Sequence, residues 1–123
     1  MNYSRQRELI TRYVKSVTSH PTAEEVYNEV KKEEPNISLG TVYRNLCKLA
    51  DDGQILRIKM ANTKDRFDGN TNHHYHAKCV KCGKIIDIFI DYLSYIDSDV
   101  EKKTDIKILS HDIIFNTICK DCE

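Results

Sequence analysis

Two pairs of cysteines, Cys79-Val80-Lys81-Cys82 and Cys119-Lys120-Asp121-Cys122, constrain this chain more than any other feature. Two intervening residues let a single turn offer both sulfurs to one ion, and two such pairs complete a tetrahedral set of the kind zinc takes. The thirty-six residues between the pairs must therefore leave one point and return to it. A closed set of four thiolates has no open position for a substrate, so the spacing predicts a structural zinc site on Cys79, Cys82, Cys119 and Cys122. Binding energies at such sites are on the order of 10 kcal/mol or more, comparable with the whole stability of a small domain. A redox pair of the thioredoxin kind would need one pair inside a βαβ unit, and the second pair speaks against it.

Small chains often supplement a limited core with a metal or a partner, and at 123 residues this one can hold one compact domain or two small ones. No stretch approaches the roughly eighteen apolar residues of a membrane span, and no apolar run follows the N-terminal arginines. A cytoplasmic protein with no membrane association is expected, and in a reducing compartment paired cysteines serve as ligands before disulfides. The zero net charge hides a polarity: residues 1–66 carry 12 basic against 9 acidic side chains, and residues 67–123 carry 7 against 10. That division suits a nucleic-acid-facing half joined to an acidic, metal-binding half.

The basic half has the punctuation of three helices. Ser4 can cap a first helix to about Thr18, with Leu9, Ile10, Tyr13, Val14 and Val17 on one face. Thr22 and Glu25 form a capping box ahead of a second helix closed by Pro35. Ser38 caps a third that stops at Gly53, with Leu39, Val42, Leu46, Leu49 and Ala50 as its buried stripe. Its other face carries Thr41, Arg44, Asn45 and Lys48. Arginine and asparagine can bond guanine and adenine edges bidentately, while threonine and lysine suit thymine methyls and phosphates. Strand-like residues 54–60, a polar turn over 61–65 and Arg66-Phe67-Asp68 complete a winged-helix order, with the third helix in the recognition position. Cys47, at the flank of that helix, reads as a semi-buried structural thiol.

Just before the first cysteine pair stands His73-His74-Tyr75-His76. On a strand, His74 and His76 share one face and Cys79 has the other parity, so one strand can serve two metals. With Asp87 after the next turn and Asp68 before, these histidines make a second ligand set. Imidazole and carboxylate without thiolate suit Fe(II), Mn(II) or Zn(II). Lys84–Ile90 reads as a strand, residues 91–103 as a helix and residues 106–118 as one or two strands. The fold expected is α+β: a winged-helix DNA-binding domain over 1–66, a hinge over 67–71, and a metal-binding dimerisation domain with an antiparallel sheet over 72–123. A long apolar sheet in so small a domain calls for a partner, and a homodimer also suits a palindromic double-stranded DNA operator.

Several motifs together resemble the ferric uptake regulator family of bacterial repressors, and within it the peroxide-stress repressors. They are His20-Pro21-Thr22-Ala23-Glu24-Glu25-Val26-Tyr27, Gly40-Thr41-Val42-Tyr43-Arg44-Asn45-Leu46, Arg66-Phe67-Asp68, the run from His74 to Lys84, and the terminal cysteine pair. The resemblance implies that His20, Asp68, His74, His76 and Asp87 form a regulatory Fe(II) or Mn(II) site tying the two halves together. It adds Tyr43 to the DNA-facing residues. It also implies peroxide sensing by iron-catalysed oxidation of His20 and His74. Asp68 and Asp87 stand where iron- and zinc-sensing relatives commonly carry glutamate, whereas Arg44 resembles the iron regulators. Of an extra site found in many iron sensors, His73 and His111 are present, but Tyr75 and Ser94 replace the expected carboxylates, so His111 is expected to be structural. An iron- or zinc-uptake regulator is the neighbouring reading. A small non-haem iron enzyme is a remote one, because five protein ligands leave little room for a substrate.

Overall fold

A computed structural model describes residues 3–61, 63–72 and 75–123. The chain divides into two compact units, residues 1–71 and 72–123. Phe67 and Asp68, expected in a hinge, lie in a strand of the first unit.

The first unit begins with α1 (Tyr3–Ser16), α2 (Ala23–Val30) and α3 (Leu39–Asp51). The capping box forms: the Glu25 N–H donates to Thr22 Oγ1 at 3.2 Å, and the Thr22 N–H donates to Glu25 Oε1 at 3.0 Å. Ser38 Oγ accepts the Thr41 N–H at 3.1 Å to open α3. Gly53, at φ 77°, closes it while the Gln54 N–H bonds the Leu49 carbonyl, a left-handed helix stop open to glycine without strain. Apolar residues at helical spacing meet in one core of Leu9, Ile10, Val14, Val26, Val30, Val42, Leu46 and Leu49. Each such side chain contributes about 1.5–3 kcal/mol by leaving water. Leu39, expected in the buried stripe, is instead 40 % exposed, because it sits in the first turn of α3 beyond the packed layer.

Strands β1 (Leu56–Ile58) and β2 (Arg66–Asp68) form an antiparallel hairpin after α3. Its second strand is stitched to the segment between α1 and α2: the Phe67 N–H donates to the Pro21 carbonyl at 2.9 Å, and Thr22 bridges Arg66. Gly69 follows directly against α1, where a Cβ would lie 2.5 Å from the Lys15 Cα. No side chain is tolerated at that approach.

In the second unit β3 (Tyr75–Cys79) is central, flanked by β4 (Ile85–Ile88) and β5 (Ile114–Thr117), with α4 (Ser94–Thr104) between the outer strands and a 3-10 turn at Lys120–Cys122. The sheet is mixed and not antiparallel throughout: β4 runs against β3, but β5 runs with it. The register gives the reason. Strand β4 ends with Ile88 opposite Tyr75, and β5 starts with Ile114 opposite His76. The excursion through α4 thus begins and ends at the same end of β3, and β5, on the opposite edge from β4, can only travel in the direction of β3. Apolar alternation reports a strand's faces but not its direction.

Candidate metal centres

That parallel strand is what joins the cysteines. Thr117 arrives beside Cys79, and the Val80 N–H donates to the Thr117 carbonyl at 2.8 Å. On the other side the β3–β4 turn closes through the Gly83 N–H to the Cys79 carbonyl at 2.8 Å, with Gly83 at φ 78°. Cys79 Sγ accepts two backbone N–H groups, from Cys82 and from Cys119, each at 3.4 Å. The Cys82 and Cys119 sulfurs are 3.7 Å apart, and ligand atoms of all four cysteines lie within 4.8 Å of one another. A tetrahedron with zinc–sulfur bonds of about 2.3 Å has edges of about 3.8 Å, so the four thiols fit zinc in number, chemistry and spacing. The N–H donors of Cys119 and Cys82 lower the Cys79 thiol from 9.0 to about 6, which makes it a thiolate at neutral pH. Cys122, donating toward Cys119 and Cys82, is held up at about 12. Cys79 and Cys119 are buried, and all five cysteines are free thiols.

Of the histidines and aspartates expected at the regulatory metal, one described pair lies in each unit. In residues 1–71, His20 Nε2 faces Asp68 Oδ2 at 3.4 Å, both nearly inaccessible at 3 % and 6 %. They stand forty-eight positions apart in the chain, and the stitch of Pro21 and Thr22 to β2 brings them together. The His20 carbonyl accepts Arg66 Nη1 at 3.0 Å, and the Asn70 N–H donates to Asp68 Oδ1 at 2.9 Å, which leaves Oδ2 toward the imidazole. His20 has a left-handed backbone, φ 55°, a conformation of order 1–3 kcal/mol above the usual wells for a non-glycine residue. In residues 72–123, His76 pairs directly across the sheet with Asp87, and Nε2 and Oδ1 are 3.3 Å apart. His74, expected to join them, lies outside the described residues.

On α3, Tyr43, Arg44 and Lys48 are exposed, and Thr41 and Asn45 half-buried. Arg44 Nη2 donates to Thr41 Oγ1 at 3.1 Å, Asn45 Nδ2 to the Thr41 carbonyl at 2.9 Å, and Lys48 Nζ lies 3.5 Å from Asp52. Cys47, half-buried as expected, takes Arg57 Nη1 at 3.6 Å. No described helix is long and apolar enough to cross a membrane.

The sequence profile of the ferric uptake regulator family matches residues 1–116. The chain belongs to the ferric uptake regulator family. Among its relatives, the peroxide-responsive repressor PerR of Staphylococcus epidermidis is 38 % identical over 118 residues, which is 96 % of this chain and 79 % of that protein. The Staphylococcus aureus repressor of the same name is 37 % identical over 96 % of this chain and 80 % of its own. Among solved structures of this family, the Campylobacter jejuni peroxide stress regulator superposes with a TM-score of 0.78 at 32 % identity, covering 98 % of this chain and 90 % of that one. The Helicobacter pylori ferric uptake regulator, a protein with three functional metal-binding sites, does so with a TM-score of 0.81 at 29 % identity, covering 99 % of this chain and 81 % of its own.

In this member of the family His111 has neither ring nitrogen open. Nε2 meets the Tyr75 hydroxyl at 2.7 Å and Nδ1 meets Asp97 Oδ1 at 2.6 Å, while Tyr92 stacks on the ring at 4.5 Å and donates to Asp97. Hydrogen bonds from Tyr92 and His111 hold the Asp97 carboxyl below its usual range. The sequence reading named His111 as structural but missed Asp97 and Tyr92, whose spacing carries no motif.

Proposed function

We propose that this chain is a metal-dependent, peroxide-sensing transcription repressor that acts on DNA as a homodimer. One observation carries the reading: His20 faces Asp68 in one unit and His76 faces Asp87 in the other, at 3.4 and 3.3 Å, and neither pair has donors enough to satisfy an ion alone. A single Fe(II) or Mn(II) taking His20 and Asp68 from one unit, and His74, His76 and Asp87 from the other, would make the metal a tie between them. Ligands of this nitrogen and oxygen class suit those ions. The four cysteines, sulfur only and contained in residues 72–123, hold zinc and have no regulatory part.

In this reading the expected winged-helix DNA-binding domain runs through β2, past the boundary at 66, with α3 as its recognition helix and β1–β2 as the wing. Thr41, Tyr43, Arg44, Asn45 and Lys48 face the operator. The hinge lies after β2, where the first unit ends at residue 71, and residues 72–123 dimerise. Exposed Phe89, Ile90, Leu109, Phe115 and Ile118 in that unit support an apolar partner surface. A two-fold dimer reads a palindromic operator, and the protein works in the cytoplasm, where the operator is.

Bound ferrous iron supplies one-electron chemistry toward peroxide that manganese does not. The chain's own contribution is to present His20 and His74 as the nearest oxidisable groups while the zinc thiolates are protected. An oxygen added to either imidazole spoils it as a ligand, releases the tie and ends repression irreversibly. The test is operator binding by iron-loaded and manganese-loaded protein before and after mild peroxide, with peptide mass spectrometry. The expected result is loss of binding and oxygen on His20 or His74 with iron only. Oxidised, zinc-free cysteines beside unmodified histidines would overturn it.

A further inference from the structure

Arg57, on β1, reaches three acceptors at once. Its Nε donates to Asp65 Oδ2 at 2.8 Å, its Nη2 to the Tyr43 hydroxyl at 3.0 Å and its Nη1 to Cys47 Sγ at 3.6 Å, and its carbon lies 5.8 Å from the centre of the Tyr43 ring. Asp65 in turn accepts the Met60 N–H at 3.1 Å, closing the turn between β1 and β2. One planar guanidinium thus fastens both ends of the hairpin turn to two successive turns of α3. Every nitrogen of the fork faces a protein acceptor, so Arg57 is poorly placed to serve the phosphate backbone itself. Its bond to Tyr43 has a direction. The guanidinium fills an acceptor position on the phenol oxygen, and the phenol's own hydrogen must point elsewhere. Tyr43 is 44 % exposed, so that hydrogen is available to solvent or to a bound oxygen.

We infer that Arg57 is a positioning residue for DNA recognition: it holds Tyr43 with its hydroxyl proton outward as a donor to a DNA phosphate or base oxygen, and fixes the hairpin to α3 at the same time. This rests on the reading of α3 as the DNA-contacting helix. A charge-assisted bond polarises the phenol and strengthens its outward donation. Lysine cannot replace the fork, because an ammonium is a point charge that cannot serve three divergent acceptors in one plane.

The experiment uses full-length, zinc-loaded protein with Mn(II), and a duplex recovered by that protein from a randomised DNA pool. If the pool yields no duplex held above bulk DNA, the DNA-binding reading itself fails. Given a duplex, Tyr43→Phe, which removes only an exposed hydroxyl, should weaken binding about fivefold, the loss of one net hydrogen bond. Arg57→Lys should weaken it by a similar factor with the salt slope of binding unchanged, because no phosphate contact is lost. Combined with Tyr43→Phe, Arg57→Lys should add less than about twofold. Wild-type affinity in either single variant overturns the inference. So does a full additional loss in the double variant, which would mean that Arg57 acts on DNA without Tyr43.

Discussion

The two sets of ligands in this chain differ less in their atoms than in where the chain puts them. The four thiols lie within one unit, on two turns that β3 and β5 deliver to one end of a three-stranded sheet. Of the other set, His20 and Asp68 pair in one unit and His76 and Asp87 in the other, each pair made by a different strand contact. A set confined to one unit can only stabilise that unit. A set shared between two units, as proposed for the histidines and aspartates, would couple their arrangement to the metal, and so could be a switch. The largest test of this contrast is Cys119→Ser. It should abolish zinc, measured as zinc per chain by atomic emission, and sharply lower the melting temperature of residues 72–123, because binding of order 10 kcal/mol is folding energy there. A Cys119→Ser protein that keeps zinc and a folded second unit would end the distinction.

Acid should separate the sets next. The Cys79 thiol falls from its ordinary 9.0 to about 6, chiefly through the N–H groups of Cys119 and Cys82. A depressed pKa contributes stability that is full above the unfolded value and is lost as pH falls through the folded one. In metal-free protein that contribution is therefore complete above about pH 9 and gone below about pH 6. Cys122, raised to about 12, has the opposite sign, and its contribution is constant until the pH exceeds 9. Chelator-treated protein should accordingly melt at falling temperature from pH 9 to pH 6 by calorimetry. Cys79→Ser should flatten that dependence. A dependence that survives the substitution would place the titrating group elsewhere.

Removing one member of a His–Asp pair should have a smaller and different effect. Asp87→Ala leaves His76 on a sheet that four cysteines still close, so zinc and folding should persist. Manganese affinity should fall by at least about tenfold to a hundredfold, the range seen when even an outer partner of a ligand is lost. Isothermal titration of zinc-loaded protein with Mn(II) measures it. Unchanged manganese binding would remove Asp87 from the site.

What the sequence revealed and concealed follows the same contrast. The cysteine pairs, the Thr22–Glu25 box, the Ser38 cap and the Gly53 stop are local, with donors and acceptors a few residues apart, and all four are as read from the chain. The direction of β5, the exposure of Leu39, the fork of Arg57 and the cage of His111 by Asp97, Tyr75 and Tyr92 depend on register and on contacts across about eight to forty residues. No periodicity records those. His20 shows the boundary: its identity stands in a motif, but its left-handed backbone is imposed by Pro21, Thr22 and Arg66 around it.

That boundary gives the smallest prediction. Thr22 holds an extended backbone at φ −77° and ψ 167° because its hydroxyl and N–H are both engaged by Glu25. The two residues before it are thereby aimed along β2, which keeps His20 in its strained turn beside Asp68. Thr22→Ala removes the side-chain half of the box, a loss of about 1 kcal/mol. For a unit of this size that lowers the melting temperature by roughly 4–8 °C. Zinc content should not change, since the cysteines lie in the other unit. Manganese-dependent DNA binding should weaken no more than about fivefold, and Thr22→Ser should restore both quantities, because serine retains the acceptor. If Thr22→Ala abolished the manganese response while melting at the wild-type temperature, the cap would act on the His20 geometry directly, and that unit's half of the switch would be more rigidly built than the present contrast allows.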